Sequence, residues 1–210
     1  MALLIEPWEV IRSFRSEVQV AFRFNLNQLP SPLGSDPIKN DQDTWAHRVI
    51  YAYWKLTPTL RYRFKDVVNH FADYLGLDRQ EWVVQAIPTF RFQYPGFTGT
   101  KEFHRDMDYN HPIESINCIL ALTEMEGTTS VLVEAVPFTG LYGRTNVKES
   151  GAFIFNGSLH KHGTEKNIEG YTRVSCDFRF AKRNSVPNQS STVTHAVKMK
   201  VGGDGYYREI

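Results

Sequence analysis

An α+β fold that is mainly β is predicted by two features of the chain. Two helix-like segments come first, between residues 44 and 76. From about Val83 the texture changes, and short runs rich in Val, Ile, Phe and Thr alternate with clusters of Gly, Pro and Asn. Fourteen Phe and ten Tyr agree with this, because aromatic rings pack well on pleated surfaces. At 210 residues the chain is expected to form a single domain, 1–210, whose core needs neither disulfide nor structural metal.

The elements follow in order. Leu29 to Asp43 (LPSPLGSDPIKNDQD) carries three prolines and many turn formers, so it reads as a loop. Thr44 is placed to cap a helix running to about Leu56, with Trp45, Val49 and Tyr53 on one side. Thr57-Pro58 is an N-cap followed by proline at the first helical position. The apolar residues Leu60, Phe64, Val67, Phe71 and Leu75 then recur at helical spacing, and Gly76 is placed to end the run. Strands are expected near 89–94, 101–105, 114–122, 129–136, 151–156 and 171–180. That order fits a double-stranded β-helix, a jelly roll of cupin type, flanked by N-terminal helices. Periodicity alone does not separate it from other antiparallel sandwiches. The expected layout is a helical scaffold at about 44–76, a jelly-roll core at about 83–181 and a tail at 182–210 ending in GGDGYYREI.

Composition excludes some functions. The formal charge is +1, from 24 basic and 23 acidic residues, so nothing asks for nucleic acid or an anionic membrane surface. The first ten residues, MALLIEPWEV, lack a basic region and stop being apolar too soon for a signal peptide or membrane span. A cytoplasmic protein is the resulting expectation. Cys118 and Cys176 both lie in apolar runs and read as buried free thiols.

The chemistry-bearing residues lie between 104 and 175. In KEFHRDMDYNHP, residues i and i+2 of a strand project from one face, so His104 and Asp106 can reach one metal ion. One imidazole and one carboxylate are two-thirds of the facial triad that suits iron(II) with open positions. The competing reading is a histidine and an aspartate satisfied by hydrogen bonds at a strand end. Downstream, FNGSLHKHGTEKNIEGYTRVSCDFRF supplies His160 and His162, either able to complete a triad, and then Arg173 and Ser175 on one strand face. A guanidinium fork with a neighbouring hydroxyl suits a carboxylate, such as the far end of 2-oxoglutarate. An ordinary ion pair of Arg173 with Asp177 or Glu169 is the alternative.

Taken together, His104-x-Asp106, His162 and Arg173-x-Ser175 resemble the iron(II)/2-oxoglutarate-dependent dioxygenase superfamily. The stretch PTFRFQYPG…FHRDMDYNHPIESINCILALT, then HG…N…TRVSCDFRF, is most similar to hydroxylases of streptomycin-type biosynthetic clusters, and more distantly to the phytanoyl-CoA type. The resemblance spans about Pro88 to Phe180. It implies His104, Asp106 and His162 as ligands of Fe(II), with 2-oxoglutarate and O2 as cosubstrates. His162 lies eleven residues before Arg173 and is followed by Gly163, as the resemblance implies, whereas His160 lies thirteen before it. His160 is then an extra group near the metal or an exposed one.

The resemblance further places Asn117 facing the site, to bind 2-oxoglutarate or water, although a structural role serves equally well. Arg91 is expected to position substrate or to hold Asp106 or another acid. Asp108 and Glu134 are candidate substrate contacts that would suit an amine or guanidine; as plain surface acids they would do neither. His111, beside Pro112, reads as a loop or substrate residue. The implied activity is hydroxylation of an unactivated C–H bond of a small polar metabolite, with release of succinate and CO2. Desaturation, cyclisation and epimerisation would use the same constellation. Halogenation is disfavoured, because it needs the space that Asp106 fills. A cupin-like isomerase without 2-oxoglutarate and a non-catalytic jelly-roll binding protein are the rival classes. Leu29–Asp43 and the tail are candidate lids, and the tail could also tie the chain into a homodimer.

Overall fold

Thr44 begins a helix where its sequence predicts one. Its amide donates to Nδ1 of His47 at 3.2 Å, while Nε2 of His47 reaches the Phe90 carbonyl at 3.0 Å. One imidazole thus ties a helix start to a strand. The computed structural model describes residues 2–32, 44–100, 102–187 and 205–210. Within them, α2 (Trp45–Leu56) and α3 (Pro58–Tyr74) match the expected pair, and Gly76 takes φ +62° just past the second. An earlier helix, α1 (Glu9–Phe22), is additional. It buries Ile11, Phe14, Val18 and Phe22 along one stripe, but Trp8 and Arg23 flank it in place of the usual capping residues. Missing caps are why its boundaries do not stand out in the sequence.

The strands are β1 (Leu3–Ile5), β2 (Trp82–Gln85), β3 (Thr89–Gln93), β4 (Ser115–Ala121), β5 (Val131–Glu134), β6 (Tyr142–Thr145), β7 (Ala152–Phe155), β8 (His162–Thr164), β9 (Arg173–Lys182) and β10 (Tyr207–Glu209). They form two antiparallel sheets. The larger runs β1-β7-β4-β9-β2-β10, with β3 also paired to β9, and the smaller runs β6-β5-β8. The strand expected at 101–105 is reduced to one bridge, His104 to His162, and residue 101 lies outside the described residues. The chain leaves that bridge at once for a 3-10 turn, Asp106–Tyr109, closed by Asn110 at φ +63°. Short strands such as β2, β8 and β10 were absent from the expected set because three or four residues carry too little alternation to read.

The layers follow from the alternation of each strand. On β9, Val174, Cys176, Phe178 and Phe180 face the helices and join a core with Phe14, Leu60, Phe64 and Phe71. On β4 and β7, Ile119, Ala121, Phe153 and Phe155 face the other way and meet Val131 and Val133 of the smaller sheet. Helices, large sheet and small sheet therefore stack in that order. Cys118 and Cys176 are buried free thiols, as expected. Of the two candidate lids, residues 33–43 and 188–204 lie outside the described residues. The end of the tail joins the larger sheet: β10 pairs with β2, and Arg183 holds Glu209 through both carboxylate oxygens.

Phe178 sits at the centre of the helix-facing core, with ring centroids 5.2 Å from Phe64 and 5.8 Å from Phe71. Phe178→Ala should lower unfolding free energy by about 3–5 kcal/mol in urea titration. A loss below about 1 kcal/mol would mean that the helices do not pack on this sheet face as described.

Candidate metal centre

The polar face of β9 carries Arg173, Ser175, Asp177 and Arg179, and all four line one cavity between the sheets together with His104, Asp106 and His162. His104 and His162 are brought together by the bridge between their backbones, with ring centroids 4.6 Å apart. Asp106 arrives through the 3-10 turn, its amide held by the Gly157 carbonyl at 2.9 Å. The two residues of the His-x-Asp pair converge because the chain turns after His104, and not because they share a strand face.

The geometry of this cluster fits a divalent ion. One donor atom from each of His104, Asp106 and His162 lies within 4.8 Å of the others, the one such group among the described residues. Oδ1 of Asp106 is 3.7 Å from Nε2 of His104 and 3.9 Å from Nε2 of His162. Each imidazole donates from Nδ1 to a backbone carbonyl, His104 to Glu102 and His162 to His160, both at 3.0 Å. In the neutral tautomer that bond leaves Nε2 bare, with its lone pair turned inward. Burial pulls the His162 pKa down to about 4, against the pull of Asp106, so this imidazole needs no proton loss at neutral pH. Burial alone would raise the Asp106 carboxyl, but Arg179 and the surrounding imidazoles hold it far below the usual carboxylate range. His160 is turned away, its Nδ1 bound to the Glu134 carbonyl at 2.6 Å.

Arg173 is buried and grips Gln93 Oε1 at 3.1 Å and Ser175 Oγ at 2.5 Å. Among the described residues it makes no ion pair: Asp177 goes to Arg91 at 3.2 Å, and Glu169 accepts from Thr128. Burial, then the nearby Arg91 charge, lowers its pKa to about 10, which leaves it cationic at neutral pH. A buried cation with hydrogen-bonding neighbours but no counter-charge is a place for a carboxylate. Gly99 and Gly163 make the approach tight, since a Cβ would meet Arg173 Nη2 at 2.7 Å and the Phe103 ring at 2.8 Å respectively.

Other expected residues fall differently. Asn117 lines the cavity, donates to Oδ2 of Asp106 at 2.6 Å and accepts from the Gly157 amide at 3.1 Å. Arg91 lines the cavity and holds Asp177. Glu134 is buried outside it, taking Gly140 N at 2.8 Å, Lys161 N at 3.2 Å and Arg105 at 2.7 Å. Asp108 accepts from the Arg105 amide at 3.1 Å. These two acids brace the loop that carries the His-x-Asp pair and are not set at the cavity. His111 packs near Tyr206, with ring centroids 5.9 Å apart. Arg179 and Gln93 went unremarked in the sequence and Asp177 entered only as a partner for Arg173, although RVSCDFRF alternates polar and apolar residues and marks both Asp177 and Arg179.

Two measurements test this arrangement. A Cβ at Gly157 would meet Asn117 Nδ2 at 2.6 Å and Asp106 Oδ2 at 2.8 Å, so Gly157→Ala should displace the carboxylate. Affinity for Co(II), read by titration, should drop by about ten- to hundredfold with the circular dichroism unchanged. Glu134 has the opposite role, structural and pH-dependent. Burial would raise its carboxyl, but the amides of Gly140 and Lys161 and the Arg105 guanidinium bring it from 4.5 to about 2. Its stabilisation is therefore full above about 4.5 and disappears as pH falls through about 2. Urea midpoints across that range should fall more steeply for wild type than for Glu134→Gln, and parallel curves would refute this assignment.

No protein-family model matches the chain. Over 165 residues it is 26% identical to the streptomycin biosynthesis protein StrG of Streptomyces griseus, covering 78% of this chain and 76% of that one. Among solved structures it is similar to EvdO2 from Micromonospora carbonacea var. aurantiaca, complexed with 2-oxoglutarate. That likeness has a TM-score of 0.56 at 11% identity and covers 94% of this chain and 91% of the other. It is also similar to SnoK, a non-haem α-ketoglutarate-dependent carbocyclase from nogalamycin biosynthesis, with a TM-score of 0.54 at 11% identity, covering 96% and 87%. At such identities the structural likeness speaks for the backbone alone: the chain has the mainly β, antiparallel fold that these two proteins share.

Proposed function

We propose that this protein is a non-haem iron(II)- and 2-oxoglutarate-dependent oxygenase acting on a small polar metabolite. The observation that carries the proposal is a His-Asp-His cluster and a buried arginine with no counter-charge among the described residues, both lining one cavity. Together they supply the two things such a reaction needs, a metal with open positions and a grip on a dicarboxylate. The likeness to StrG and the folds shared with SnoK and EvdO2 support it. On this reading residues 1–210 form a single domain around a double-stranded β-helix.

His104 and His162 would bind through Nε2 and Asp106 through Oδ1. Arg173 and Ser175 would hold the far carboxylate of 2-oxoglutarate, with Gln93 keeping the guanidinium in place. The chemistry that iron(II), 2-oxoglutarate and O2 supply at such a site is decarboxylation to succinate and CO2 coupled to oxidation of a substrate C–H bond. The protein's share is orientation and exclusion of water, which the apolar wall of Ile119, Val131 and Phe155 provides. Hydroxylation is the outcome that needs the fewest added parts.

Anaerobic calorimetry with Fe(II) and then 2-oxoglutarate tests the proposal. Wild type should bind one equivalent of each, and Arg173→Ala should retain iron while 2-oxoglutarate affinity falls by at least about tenfold. Iron binding without any response to 2-oxoglutarate would favour an isomerase-like use of the metal, and no iron binding would end both readings.

A further inference from the structure

Behind the metal cluster lies a second buried guanidinium. Arg179 is 6% exposed, and its Nε and Nη1 have no hydrogen-bond partner among the described residues. Nη1 nonetheless stands 3.4 Å from Oδ2 of Asp106, on the same row of the sheet as Asn117. The two oxygens of Asp106 therefore face different neighbours. Oδ1 is turned to the imidazoles, while Oδ2 has the Asn117 amide at 2.6 Å and the Arg179 charge at 3.4 Å. Arg179 itself has a second carboxylate nearby, Oδ2 of Asp177 at 3.9 Å.

We infer that Arg179 is a positioning residue which keeps Asp106 a one-oxygen ligand. The inference rests on the metal-centre reading proposed above. A carboxylate is free to chelate a divalent ion through both oxygens unless one of them is otherwise engaged. An ion with three protein donors in octahedral geometry has three positions left, two for 2-oxoglutarate and one for O2. A second oxygen from Asp106 would take one of these. Asn117 alone engages one side of Oδ2; the adjacent cation makes turning that oxygen toward the ion unfavourable, because it would leave a buried guanidinium without its counter-charge.

The test uses Co(II) as the probe and reads binding and visible absorption in addition to turnover. Arg179→Met should bind one Co(II) at least as tightly as wild type, since a repelling cation has been removed. Its absorption bands before 2-oxoglutarate is added should differ from wild type, reporting altered coordination. Its 2-oxoglutarate affinity should fall by about ten- to hundredfold, although Arg173 is untouched. Arg179→Lys, which returns a cation beside Oδ2, should restore the bands and most of the affinity. An unchanged spectrum with unchanged 2-oxoglutarate binding would overturn the inference. So would loss of Co(II) and 2-oxoglutarate together alongside a lowered melting temperature, the signature of a purely structural charge.

Should Arg179→Met alone not fold, the metal-free double variant Asp106→Asn/Arg179→Met decides. It should fold where Arg179→Met does not, because both charges leave together; a double variant that also fails to fold would refute the pairing. Wild type that takes up no Co(II) would mark failure of the metal-centre reading itself and would remove this inference with it. Failure of the inference alone leaves wild-type binding of Co(II) and 2-oxoglutarate intact.

Discussion

Charge buried along one face of β9 is the constraint around which the rest of the structure is arranged. Arg173, Ser175, Asp177 and Arg179 point into the space between the sheets, while Val174, Cys176, Phe178 and Phe180 point into the helical core. A buried guanidinium without partners is strongly unfavourable, so each cation on this face must be answered from another element. Asp177 answers Arg91, Asp106 answers Arg179, and Gln93 with Ser175 half-satisfies Arg173. The hydrophobic side of the same strand supplies the rigidity that keeps these groups in register. Phe178, locked between Phe64 and Phe71, fixes the backbone on which Asp177 and Arg179 are mounted.

Seen this way, the metal cluster is an extension of the charged row. Asp106 is shared: one oxygen belongs to the imidazoles, the other to Asn117 and Arg179. Gly157 lies so close to both Asp106 and Asn117 that a Cβ there would push one of them aside. The imidazoles are held by carbonyls of residues near them in sequence, which makes their orientation a local property of the loop and of β8. Around this, Arg105 and Glu134 lock the loop carrying the His-x-Asp pair onto the smaller sheet. Orientation of these side chains is thus settled by the protein's own contacts.

Much of this was legible in the residues. Thr44, Pro58 and Gly76 marked their helix ends because capping and proline chemistry are local. The long strands β4 and β9 were legible because seven and ten residues repeat the alternation often enough to be seen. His104, Asp106, His162, Arg173 and Ser175 were all singled out and do line one cavity. The helix α1 was not, because charged residues dilute its stripe and no capping residue begins it. Glu134 was misjudged: an acid in VLVE looks exposed at a strand end, yet its environment is set by Arg105, Gly140 and Lys161, which chain order does not bring near it.

The sequence by itself determined the types and spacing of the donor groups, the helical pair and the polar stripe of β9, since each depends on neighbours within a few positions. Only the tertiary structure decided how His162 is brought beside His104, how the two oxygens of Asp106 divide between the imidazoles and Asn117, and that Arg179 stands beside the second. Those facts depend on a bridge between residues 104 and 162 and on the pairing of Asn117 with Arg179 across two strands. Contacts of that kind form through backbone pairing and burial over long separations. Residue identity alone carries no record of them until the sheets have closed.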